Sequence, residues 1–169
     1  MTHLYAKKHI FIVVFGLSVL LLTGAAAMAQ SAVANADSDG KLPDAVITLN
    51  RAAMGATNEF LAVRDSIGFE LSLISAELDG EPVWTRKSTD APVVDGTIQW
   101  HFHMPTRQLV LDLRGISESF SDGKSLRLTV APANARVKDY RITVFDAATV
   151  EAAHSRAQTA LSGITIEFN

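Results

Sequence analysis

Residues Ile98–Leu113, IQWHFHMPTRQLVLDL, decide the fold class. Ile98, Trp100, Phe102 and Met104 alternate with Gln99, His101 and His103, the period of a strand with one apolar and one polar face. Pro105, which has no N–H for a sheet ladder, ends it. Leu109, Leu111 and Leu113 then form a second apolar face opposite Gln108, Asp112 and Arg114.

The same alternation recurs outward in both directions. Downstream it runs through Leu126/Leu128/Val130, Tyr140/Ile142/Val144 and Ile164/Ile166/Phe168. Upstream, Ile67, Phe69, Leu71 and Leu73 hold one phase, and Ile74, Ala76 and Leu78 hold the other. A one-residue slip inside a long strand predicts a β-bulge. Asp79-Gly80 follows as a hairpin turn, and Asp95-Gly96 and Asp122-Gly123 mark further turns. Ala147–Ser162 departs from the pattern. It is rich in alanine, with Asp146 as an N-cap and Gly163 beyond its end, and it predicts a helix of about three to four turns. A shorter helical patch is expected within Ala52–Glu59.

The fold class expected is therefore all-β: an antiparallel immunoglobulin-like β-sandwich of seven to nine strands, with one helix before the last strand. Alternation alone also suits a small outer-membrane barrel. Strands of about six to eight residues are short for spanning, which needs roughly 9–11. Tyr140 would be the sole tyrosine after export, too few for aromatic girdles.

The domain limits come from the ends of the chain. Lys7 and Lys8 precede an uncharged apolar run, Ile10–Leu22, and then small residues with Ala27-Met28-Ala29 as an A-x-A cleavage site. That order reads as a secretory signal peptide over 1–29, with a second A-x-A at Ala34-Asn35-Ala36. Residues 30–43 read as a flexible lead-in and 44–169 as the β-domain. The destination expected is the periplasm, or alternatively the extracellular space, with no stable membrane insertion after cleavage.

Composition narrows the function. The 169 residues contain no cysteine, which removes thiolate metal sites, cysteine nucleophiles and disulfides. Removing the signal leaves 13 basic against 18 acidic side chains, net −5, which argues against nucleic acid as a partner. There is no G-x-S-x-G elbow and no Gly-rich phosphate loop after a strand. The chain reads as non-enzymatic and free of cofactors. The function expected is a binding module for an envelope or secreted protein, an assembly factor or chaperone acting by edge-strand or surface recognition.

Two features compete with that reading. His101-x-His103 places two imidazoles on one strand face, where they share reach of a copper or zinc ion. His154, on the expected helix, and Asp112, on the next strand, are the candidates for a third ligand. Trp84, beyond the hairpin turn, is the candidate contact for a partner or, in a carbohydrate-binding domain, for a sugar. Asn35-x-Asp37-x-Asp39-Gly40 has the spacing of half a calcium loop, but Pro43 and Val46 occupy positions where such a loop needs ligands.

Overall fold

The computed structural model describes residues 31–37, 41–88, 92–133 and 139–169. The signal peptide expected over 1–29 lies outside the described residues, as does the Gly40 end of the calcium-like spacing. Ten strands are formed in chain order: β1 Ser31–Asn35, β2 Ala45–Asn50, β3 Phe60–Asp65, β4 Leu71–Leu78, β5 Glu81–Lys87, β6 Thr97–His103, β7 Gln108–Asp112, β8 Ser125–Pro132, β9 Asp139–Ala147 and β10 Thr165–Phe168. One four-residue helix, α1, spans Val150–Ala153.

The protein is mostly β, as alternation requires. Hydrogen bonding runs without a break in the order β1-β9-β3-β7-β6-β5-β4-β8-β2-β10, and β1 and β10 come into contact at the ends. This is one sheet nearly closed into a barrel, where an immunoglobulin-like sandwich of two face-packed sheets was expected. The physical reason lies in β5. Glu81–Val83 pair antiparallel with β4, whereas Trp84–Lys87 pair parallel with β6. A strand that changes partner along its length joins what would otherwise be two layers. Period-two alternation is the same for a sandwich face and a barrel interior, so it does not separate them.

Ile47, Leu61, Leu71, Ile98, Leu109, Leu111, Leu128 and Ile142 are fully buried in one core. Arg127, Arg141 and Glu167 lie on the strands' other faces, exposed. This is the reverse of a membrane-spanning barrel, whose apolar face meets lipid. No helix among the described residues is long and apolar enough to cross a membrane. Trp100 and Phe102 are half-buried and pack against the core, less enclosed than Ile98 on the same face.

The local signals appear where the sequence places them. The register of β4 against β8 shifts between Leu73 and Ser75, which is the bulge. Asp79 and Gly80 have φ of 51° and 85°, as a tight hairpin turn of the strands' own twist requires. Ile67, however, precedes β4 and is exposed. The Ala52–Glu59 patch is a single 3₁₀ turn over Arg51–Ala53. Part of the expected lead-in is structured: β1 pairs antiparallel with β9, and Ala34 and Leu42 are buried in the core.

The expected long helix is not formed. Ala147 belongs to β9, and α1 is capped by Thr149, whose Oγ1 accepts from Ala152 N at 3.2 Å. Tertiary pairing overrides the alanine propensity, because a short helix is marginal without packing. Ala160 bridges to Phe145, and Leu161 N donates to Val144 O. The Gln158 side chain donates to Ala152 O at 2.8 Å, taking a carbonyl that a longer helix would use internally. Residues 148–163 thus form a strap between β9 and β10. It lies on the outer face of β3, β7 and β9, where Ala153 packs with Phe60, Val110 and Ala147.

Candidate functional site

β6 and β7 pair antiparallel, with His101 opposite Val110 and His103 opposite Gln108. Alternation directs Ile98 to the core and His101 and His103 to the outer face. The strap crosses that face and delivers His154, directly after α1. His101 Nε2 and His154 Nε2 stand 2.8 Å apart. The His103 and His154 rings stack, with centroids 3.8 Å apart and planes 4° from parallel. His101 meets His154 edge-on. His103 Nδ1 is 2.7 Å from Thr106 Oγ1 in the turn that follows. All three imidazoles are half-buried.

The site therefore unites the sequence-derived pair with a third histidine. As placed, the three rings make one hydrogen-bonded pair and one stack. Among the described residues, no three His, Cys, Asp or Glu side chains form a group arranged to hold a metal ion. Asp112 is engaged elsewhere: Arg114 Nη2 donates to its Oδ2 at 2.7 Å and Arg114 Nε to its Oδ1 at 2.9 Å. Below the strap, fully buried Gln108 donates to Gln158 Oε1 at 3.0 Å. Trp84 stands apart from this cluster on β5, 82% exposed.

Burial, and then the neighbouring His103 and His101, hold the His154 pKa below the ordinary histidine range; Glu151 opposes them. A neutral imidazole is what the short Nε2···Nε2 contact requires, since two imidazolium rings would face each other N–H to N–H. Between the lowered folded-state value and about 6.5, the unfolded chain binds a proton that the folded chain does not, so stability falls as pH drops through that window. In chelator-treated protein, the melting temperature is expected to fall on acidification below about pH 6.5, and His154→Gln to reduce that slope. Melting curves of both proteins across the window check this. Identical slopes would contradict it.

Sequence reasoning missed a second cluster beside the first. Arg64 on β3, Arg107 in the β6–β7 turn and Arg156 on the strap line one cleft. Arginines scattered over 93 positions of sequence carry no spacing signal, because only the fold of the strap brings them together. No protein-family model, curated protein or solved structure matches the chain.

Proposed function

We propose that this is an exported metal-binding protein of the periplasm, taking copper(II) or zinc through His101, His103 and His154. One observation carries the reading: the strap brings a third imidazole against both members of the strand pair, with two Nε2 atoms 2.8 Å apart. At metal–nitrogen bonds of about 2.0 Å, that separation subtends about 90° at a shared ion. Such an angle suits the tetragonal preference of copper(II), whereas tetrahedral zinc needs the nitrogens about 3.3 Å apart. An ion would displace the proton shared by His101 and His154, with both rings turning so that their Nε2 lone pairs converge beside the line between them. His103 supplies the third nitrogen by turning out of its stack. In the tautomer whose Nδ1–H donates to Thr106, its Nε2 lone pair is left for the metal.

Calorimetric titration of the purified protein with copper(II) or zinc chloride tests the proposal. One-to-one uptake is expected, weakening as pH falls through roughly 6.5. At 100 times the dissociation constant, bound metal adds about 2.7 kcal/mol of stability. Binding is expected to weaken at least about tenfold in His101→Ala and in His154→Ala. Equal uptake by the wild type and the triple His→Ala variant sinks the reading. That outcome would return the chain to a second reading, recognition of an envelope or secreted protein. The observation in its favour is the exposure of two large apolar side chains, Trp84 on β5 at 82% and Ile74 on β4 at 55%.

A further inference from the structure

A cleft of about 240 Å³ lies at the end of the barrel where β3 runs on past β7. Its walls are Arg64 and the bend after β3, Thr106 and Arg107 of the β6–β7 turn, and Arg156 of the strap. Three arginines from three separate elements thus line one small space.

Their surroundings do not neutralise them. Among the described residues, the ion pairs join Lys87 to Glu70, Arg114 to Asp112, Lys124 to Asp79 and Arg127 to Glu77. None of these involves Arg64, Arg107 or Arg156. Arg64 Nε and Nη2 are buried and make no hydrogen bond, although a buried guanidinium donor without an acceptor is costly. The Arg64 guanidinium lies over the Phe145 ring, 4.7 Å from its centroid, which holds its plane but accepts none of those N–H groups. Burial, and then the positive charge of Arg156, draw the Arg64 pKa below its ordinary value. The one carboxylate in the lining, Asp65, is the next residue along the strand, so its side chain takes the inward face. There Asp65 Oδ1 accepts Ile67 N and Gly68 N, and its charge acts on buried Tyr140.

The backbone is shaped to seat these groups. Arg107 has φ of 55°, a left-handed conformation uncommon outside glycine, and its N donates to His103 O at 2.8 Å. Its Nη1 donates to Gly68 O at 3.0 Å. Gly68, at φ 81°, lies so close beneath Arg107 that a Cβ there would come 2.7 Å from Arg107 Cδ. A glycine and a left-handed arginine laid on one another place a guanidinium at the cleft's rim.

We infer that this cleft is an oxyanion site, in which Arg64, Arg107 and Arg156 clamp the phosphate group of a small molecule. Three arginines that pair with no carboxylate side chain among the described residues match an acceptor-only ligand bearing several lone pairs, and guanidinium forks match phosphate oxygens bidentately. Three cations favour a dianion over a monoanionic carboxylate. The ligand is either inorganic phosphate or a phosphate monoester, and both present the same head group.

The test uses the full exported chain with chelator present, so its outcome is independent of the metal reading. Sodium phosphate, phenyl phosphate and sodium acetate are titrated by calorimetry at fixed ionic strength, with sodium chloride as reference. A saturable one-to-one isotherm is expected with at least one phosphate probe, and which of them binds identifies the source. Arg156→Gln, at an exposed position that leaves the barrel intact, is expected to weaken it at least about tenfold. Arg64→Lys is expected to do the same, because lysine keeps the charge and loses the fork. Phosphate behaving like chloride overturns the site. Acetate binding as well as phosphate overturns the assignment to phosphate, and undiminished binding in both arginine variants overturns the assignment of residues.

Discussion

Leu111→Ala is expected to cost about 2–5 kcal/mol of stability. Leu111 is fully buried in β7, opposite Leu61 of β3 on one side and Trp100 of β6 on the other. The loss combines the transfer free energy of the removed methyl groups with the cavity left between strands that cannot close up. It is a large part of the 5–15 kcal/mol that typically holds a domain folded. Trp84→Ala, at a larger but 82% exposed side chain, is expected to change stability by no more than about 0.5 kcal/mol. Urea denaturation of both variants measures the contrast. Comparable losses at the two positions would mean that the core does not lie inside the barrel.

That contrast marks what was legible in the sequence. The period of two assigns Leu109 and Leu111 to one face and Gln108 and Asp112 to the other, and it places the bulge of β4 and the Asp79-Gly80 turn. It does not assign partners. Nothing in Glu81–Lys87 announces that its first half pairs with β4 and its second half, in parallel, with β6. Closure into a barrel is decided there, between residues that look alike to any local rule. Nor does alternation grade depth along one face: Ile98, Trp100 and Phe102 share a side of β6, yet Phe102 is half-buried near the strand's end, so its truncation will cost less than that of Leu111.

The strap is where local and tertiary preferences conflict. Alanine favours helix in Ala147–Ser162, and one turn of helix does form. Beyond it, the hydrogen bonds of Ala160 and Leu161 to β9 and the side-chain bonds of Gln158 outweigh propensity. This departure from helix matters for the site. His154 follows the last turn of α1, Arg156 lies two residues on, and Thr106 touches both neighbourhoods, bonding His103 while lining the arginine cleft. The His101-x-His103 pair was legible because two residues on one strand face share a direction. Its third member was legible only as one of two candidates, His154 or Asp112, because spacing along the chain does not say which of them the fold brings to the pair; the adjoining arginines carried no signal, because only the path of the strap gathers them.

Gly115→Ala is expected to destabilise the fold by about 3 kcal/mol or more. Gly115 lies in the 3₁₀ turn Arg114–Ile116 after β7, and a Cβ built on it would stand well inside 3.0 Å of two backbone oxygens, Val94 O and Thr97 O. Neither is the end of a flexible side chain. Val94 O accepts from Thr97 N at 3.2 Å, and Gly96 N donates to Gly115 O at 2.6 Å, so the turn leading into β6 is fastened to the glycine that would displace it. The shift would propagate into the start of β6, where Thr97 and Ile98 pair with β5 and Ile98 is fully buried. Gly123→Ala is the control. Gly123 has φ of 84° with nothing within 4 Å of its added Cβ, so its cost is limited to about 1–2 kcal/mol of left-handed strain. Thermal or urea unfolding of both variants is expected to rank Gly115→Ala well below Gly123→Ala. A neutral Gly115→Ala would mean that the turn after β7 does not dock on residues 94–97, and that the entry to the histidine-bearing strand is held some other way.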